Sequence, residues 1–228
     1  MMMGGGTSVM GSLQFRRLWF ATLIAMVAVA AACGGSSERA EAEREYDKAE
    51  KLLAQGSMRN AGEAYNVALG LDPEYAEAYV GRSRVFLAFD NPTSAVADLD
   101  RAIALDPDLA VAYSYRGVAQ MQRGDSGNAM LDLTKAIEVD PKLVDAHVFR
   151  ARLNAADDDI EAAIEDMGSA ISLRPRSDGL YMERAQMHLA AGDAEGAIAD
   201  LEKVLSLTQV EEVQVQAKRL LAQLGVGR

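Results

Sequence analysis

The chain has one cysteine, Cys33, so it can close no internal disulfide, and its two histidines, His147 and His188, have no cysteine or second histidine at ligand spacing. No Ser-His-Asp order, HExxH pair, phosphate-binding glycine loop or acidic calcium loop occurs, so neither a catalytic constellation nor a cofactor or metal site is expected. Aromatic residues make up only 6% and prolines number five, while Ala, Leu, Asp and Glu abound, which favours helix over sheet. Positive charge is also scarce: 23 Lys and Arg stand against 34 Asp and Glu, a net charge of −11. Arg16 and Arg17 are the only charged residues before Glu38, so from Cys33 onward the balance is 21 to 34, or −13. Such a surface disfavours phosphate backbones and argues against nucleic acid as a partner. With 50% apolar and 25% charged residues in 228, the chain still has the composition of a folded protein with a sizeable core.

The first 37 residues differ from the rest. In "FRRLWFATLIAMVAVAAACGGSS" two arginines precede 15 uncharged residues, 18–32, and then small residues flank Cys33. The run falls short of the ~20 residues of a spanning helix, and the order of charge, apolar run and small residues is that of a secretory signal. Ala31, Ala32 and Cys33, followed by Gly34, Gly35, Ser36 and Ser37, resemble a bacterial lipoprotein signal; Ala30 departs from the leucine usual there. The resemblance implies removal of residues 1–32 and diacylation of Cys33 on sulfur, with 33–41 a short linker running into a first helix. It implies an exported protein anchored in the cell envelope, at the periplasmic face of an outer membrane if there are two membranes and otherwise on the outer face of the plasma membrane. "AAA" also fits signal peptidase I, which would release a soluble exported protein, and an uncleaved anchor is a third outcome.

Beyond the leader the chain repeats itself. Pro73, Pro107, Pro141 and Pro175 recur every 34 residues, phasing the chain into units 42–75, 76–109, 110–143, 144–177 and 178–211. A period of this length signals a solenoid. Asp72-Pro73, Asp106-Pro107 and Asp140-Pro141 are expected to supply an N-cap and a first helical proline. Midway through the units, Gly56-Ser57, Gly124-Asp125 and Gly192-Asp193 offer a left-handed glycine followed by a cap, while Asp90-Asn91-Pro92 and Asp157-Asp158-Asp159 replace them. Small residues in the first helices (Ala49, Ser83, Gly117, Ala151, Ala185) and second helices (Ala61, Ala95, Ala129, Ala163, Ala197) allow close approach, and Tyr65, Leu99, Leu133, Met167 and Leu201 supply large knobs. The amphipathic "EEVQVQAKRLLAQLG", residues 211–225, reads as a capping helix after the last unit, with 212–228 its C-terminal segment, and the charge-rich 38–51 as the polar outer side of the first helix.

This pattern resembles the tetratricopeptide repeat (TPR) family over residues 42–211. The resemblance implies an all-α, right-handed solenoid of five helix-turn-helix repeats, and a protein-binding groove lined by the first helices. Counting places from the start of each unit, the second, fifth, ninth and twelfth would line it: Tyr46, Glu50 and Leu53; Val80, Arg84 and Leu87; Val118 and Met121; Val148 and Arg152; Met182, Gln186 and Leu189. Arg84 and Arg152 either pair with neighbouring acids or meet acidic groups on an extended partner. The lysine and asparagine clamp with which some co-chaperones hold a C-terminal carboxylate is absent from these places.

A second regularity joins the helices of one unit. Arg82, Arg116, Arg150 and Arg184 hold the seventh place, and Asp98, Asp132, Asp166 and Asp200 the twenty-third; unit one has Lys48 and Ala64 there, lacking both. Structural ion pairs are the expectation, because arginine is a poor proton carrier and its planar fork suits a half-buried carboxylate. The functional expectation is a non-enzymatic scaffold that binds extended segments of envelope proteins and assists assembly of an envelope complex. A self-associating structural protein and, more remotely, an enzyme are the alternatives.

Overall fold

The structure, a computed structural model, describes residues 37–226. The leader, Cys33 and its proposed lipid lie outside the described residues. Eleven helices and no strand occur among the described residues. Helix α1 covers 37–54, and then α2 (Met58–Leu71), α3 (Ala76–Ala88), α4 (Pro92–Leu105) and α5 (Ala110–Gln122) follow. The pattern continues in α6 (Ser126–Val139), α7 (Val144–Ala156), α8 (Ile160–Leu173), α9 (Asp178–Ala190) and α10 (Ala194–Leu207), and α11 (Glu211–Gln223) closes the stack. None of these helices is long and apolar enough to cross a bilayer.

Two kinds of turn alternate, and each has its own chemistry. Inside a unit the chain turns on a left-handed residue: Gly56, Gly124 and Gly192 have φ of +74° to +76°, and Asp90 (+54°) and Asp158 (+67°) take the same role without glycine's freedom. The next helix is then capped by Asn91, Asp125, Asp159 or Asp193, whose side chain accepts a backbone N–H three residues on at 2.9–3.2 Å. Pro92 fills the first helical position after Asn91, where its missing N–H costs nothing.

Between units the expected Asp-Pro cap is not what forms. Asp72, Asp106 and Asp140 end the preceding second helices, and α3, α5 and α7 begin only at Ala76, Ala110 and Val144. Each aspartate accepts the N–H two residues later, from Glu74, Asp108 or Lys142, at 2.9–3.0 Å. Proline's fixed φ therefore serves the second position of a tight turn. Where the last unit lacks Asp and Pro, Thr208 Oγ1 accepts the Val210 N–H at 3.2 Å and makes an equivalent turn.

Packing proceeds from neighbour to neighbour, with no single centre. Within a unit the first and second helices close over alanines that are wholly buried, and Tyr65, Leu99, Leu133, Met167 and Leu201 are each buried beside them. Gly117 shows how near the backbones come: a Cβ there would lie 2.7 Å from Leu133 Cγ. Helix α3 also touches α5, and α5 touches α7, whereas no two second helices meet as extensively. The first helices therefore line the inner side of a curved stack. At the far end Ala217 and Leu221 of α11 pack with Met182, Leu201 and Val204, covering the last unit.

Candidate functional site

The ion-pair ladder is built across each helical hairpin. Arg82, Arg116, Arg150 and Arg184 donate through Nε and Nη2 to both carboxylate oxygens of Asp98, Asp132, Asp166 and Asp200 at 2.7–2.9 Å. The aspartates are buried and the arginines half-buried, the setting in which a two-pronged fork gains most over a single contact. The remaining nitrogen, Nη1, reaches back to the second helix of the preceding unit. It meets Asn66 (2.8 Å), Asp100 (2.6 Å) and Thr134 (3.5 Å), so Arg82, Arg116 and Arg150 each join two units as well as two helices. At the last junction that place holds Gly168, which has no side chain to offer. The pairing also holds Arg116 above its ordinary pKa: the hydrogen bond to Asp132 outweighs desolvation, with Asp100 adding to it. A guanidinium so fixed is a structural tie and a poor proton donor.

Both histidines are engaged in the repeat framework. Place four holds Tyr79, Tyr113, His147 and Tyr181; the hydroxyls of Tyr79 and Tyr181 donate to the carbonyls of Pro73 and Pro175 at 3.3 and 3.4 Å, and His147 Nε2 makes the same bond to Pro141 at 3.0 Å. Since a carbonyl only accepts, His147 carries its proton on Nε2 there. The three tyrosine rings also lie 5.6–5.9 Å from the guanidiniums of Arg82, Arg116 and Arg184, within cation–π range. His188 lies beside Asp193 (2.7 Å) and Asp200 (3.8 Å).

The inner face is only partly the surface that place numbers imply. Val80, Val148 and Met182 are 5%, 7% and 8% exposed, held between neighbouring first helices, so they form the floor of the groove and offer little area to a partner. Leu53, Leu87 and Met121 pack against core clusters because place twelve faces the neighbouring helices. Tyr46, Glu50, Arg84, Val118 and Leu189 are half-exposed, and Arg152 and Gln186 are open to solvent. Neither groove arginine is free: Arg84 donates to both oxygens of Glu50 (3.0 and 3.1 Å), and Arg152 forks onto Glu183 (2.9 and 2.8 Å).

Two of the concavities among the described residues lie on this face. One, of about 210 Å³, crosses α1, α3 and α5 and is lined by Tyr46, Glu50, Glu77, Val80, Gly81, Arg84, Val111 and Tyr115. The other, of about 320 Å³, lies between α7 and α9 around Arg152, Glu183 and Gln186. Sequence reasoning missed what shapes the first: Tyr65 passes its hydroxyl to Glu50, and its ring occupies the space that a Cβ at Gly81 would need. The signal was present, since Tyr65 is the one polar knob among five and Gly81 the one glycine at its place in the units.

The tetratricopeptide repeat family profile matches residues 46–110, 80–145 and 150–211, most of the chain. The chain is a tetratricopeptide repeat protein. Solved TPR-fold structures resemble it along most of its length. TTC0263, a thermophilic TPR protein of Thermus thermophilus, superposes with a TM-score of 0.70 at 19% identity, covering 79% of this chain and 99% of that one. PilW, a type IV pilus biogenesis factor, gives 0.71 at 18% identity over 82% and 87%. YrrB, a TPR protein with an unusual peptide-binding site, gives 0.55 at 17% identity over 77% and 90%. No curated protein matches significantly. At these identities the likeness is one of fold, and the TPR fold is a protein-interaction scaffold.

Proposed function

We propose that this TPR protein is a non-enzymatic adaptor, exported and anchored through lipid on Cys33, which holds extended segments of envelope proteins along its first helices. The observation that carries the reading is the inner face: a row of first helices with apolar floor residues, paired charges and two shallow concavities, a surface suited to an extended chain. The leader supports the address, because an arginine pair, a short apolar run and a cysteine flanked by small residues give the sole cysteine a use. The four linker residues Gly34, Gly35, Ser36 and Ser37 reach only ~14 Å when extended, which favours partners at the same membrane. The likeness to PilW is compatible with a part in assembling an envelope complex, by analogy of fold alone.

Crosslinking in intact cells followed by capture of the protein tests the adaptor reading. Foreign envelope proteins in the captured species are the expected result; self-linked species alone would replace the adaptor with a self-associating structural protein. The anchor is tested separately with a clickable fatty acid. The wild type is expected to label and sediment with membranes, while Cys33→Ser loses the label and accumulates as precursor. A soluble, normally cleaved product from both would mean signal peptidase I and no anchor.

A further inference from the structure

The concavity across α1, α3 and α5 has a shape and a charge, and together they select an occupant. Its floor is apolar, from Val80 and Val111, and Tyr46 and Tyr115 add aromatic surface. Three charged groups stand around it. Arg84 is neutralised by Glu50 and lies 5.8 Å from the centre of the Tyr115 ring. Glu77, an exposed residue in the first turn of α3, has no ion-pair partner among the described residues. The pocket is thus left with one unbalanced negative charge. The charge balance is felt at Tyr46, where burial first, then Glu50 and Glu77, raise the pKa against Arg84, whereas at Tyr115 burial raises it and the largest charge contribution is the opposing pull of Arg84.

We infer that this pocket receives a lysine or arginine side chain from an extended protein segment, its aliphatic stem over Val80, Val111 and the tyrosines and its cation beside Glu77. The inference rests on the adaptor reading and names the chemistry that the groove selects. A long stem with a charged head covers apolar floor and satisfies the carboxylate at once, and the tyrosine faces add cation–π attraction. An apolar side chain would desolvate Glu77 without giving it a partner. A carboxylate would have to displace Glu50 from Arg84 while standing close to Glu77.

Panning the full-length protein in detergent against a phage-displayed library of random 12-residue peptides tests this. Recovered peptides are expected to share Lys or Arg at one aligned position. For a recovered peptide made synthetically with a fluorescent label, Glu77→Gln in the protein and norleucine at the shared position of the peptide should each raise Kd roughly threefold to tenfold. The two losses should not add, as they remove the same contact. Glu202→Gln, on the exposed side of α10, controls for general attraction to an acidic protein and should leave Kd within about twofold. Peptides sharing Asp or Glu would assign the pocket to Arg84 released from Glu50 and overturn the inference. So would equal effects of the Glu77 and Glu202 changes, or a library that yields no enriched sequence. Foreign partners captured in cells alongside any of these results would leave the adaptor reading standing. A basic consensus without such partners would sink the adaptor reading and leave the pocket chemistry intact.

Discussion

Asp90 and Asp158 hold backbone conformations that an L residue enters at a cost of about 1–2 kcal/mol, in places where three other units use glycine. Aspartate tolerates the position better than most, but among the described residues the Asp158 side chain has no hydrogen-bond partner. Asp158→Gly is therefore expected to raise unfolding free energy by about 0.5–1 kcal/mol, read from urea denaturation; a loss would mean that its side chain holds something in the turn. The capping aspartates make a pH-dependent contribution. Hydrogen bonds from the Asn128 side chain and then its backbone hold the Asp125 carboxyl below its ordinary pKa, and the Gly196 backbone N–H does the same first for Asp193. A lowered folded-state pKa means that the stabilisation is complete above the unfolded value, about 3.9, and is lost as pH falls through the lowered one. Asp125→Asn keeps a capping oxygen without the charge, so its stability should fall less steeply than that of the wild type below about pH 4. Parallel curves for the two proteins in thermal melts from acid to neutral pH would show that Asp125 contributes no linkage.

Helices were legible in the sequence because each unit repeats the same small residues, knobs and turn residues at one period, so a weak local signal was read several times over. The Arg-to-Asp spacing of 16 was legible for the same reason, and the structure brings those residues together across one hairpin. Two things were hidden. Asp-Pro looks alike whether it caps a helix or closes a turn, because both use one carboxylate oxygen and one fixed φ, and only the length of chain needed to reverse direction decides. The backward reach of the first three arginines was hidden because its acceptor varies, from Asn66 to Asp100 to Thr134, and the series ends at Gly168, which offers Arg184 no side chain. That series predicts a repair. A Cβ at Gly168 would lie 3.5 Å from Arg184 Nη1, in open van der Waals contact, so Gly168→Asp fits and places an acceptor where Asp100 already serves Arg116. It should stabilise the protein by about 0.5–1 kcal/mol, combining relief of a mid-helix glycine with the new bond. A double-mutant cycle with Arg184→Gln should show coupling of about 0.5 kcal/mol or more. Zero coupling would leave helix propensity as the whole effect and refute the bond.

From α2 to α11 the extensive contacts run within units and between adjacent ones, so stability is approximately a sum of unit and junction terms. The two ends are the exceptions. Unit one has Lys48 and Ala64 in place of the Arg-Asp pair, and Lys48 pairs locally with Glu45 at 2.7 Å; with no earlier described unit to tie to, the two-way arginine has half its purpose removed. At the other end α11 shields Leu201 and Val204 with Leu221 and Ala217, in a junction where Gly168 already leaves the preceding one short of a bond. Stopping the chain after Thr208 should expose that apolar patch, and the lost burial of Leu221 alone removes roughly 1.5–3 kcal/mol. The loss belongs to the last unit, and nearest-neighbour coupling predicts where it appears: in hydrogen exchange α9 and α10 should lose protection first, while α3 to α6 keep most of theirs. The truncated protein should also bind a hydrophobic dye that the full chain ignores. Equal loss of protection from α3 through α10 would show that the stack unfolds as one cooperative block and that the nearest-neighbour description fails. Unchanged protection in α10 would remove α11 from the role of cap.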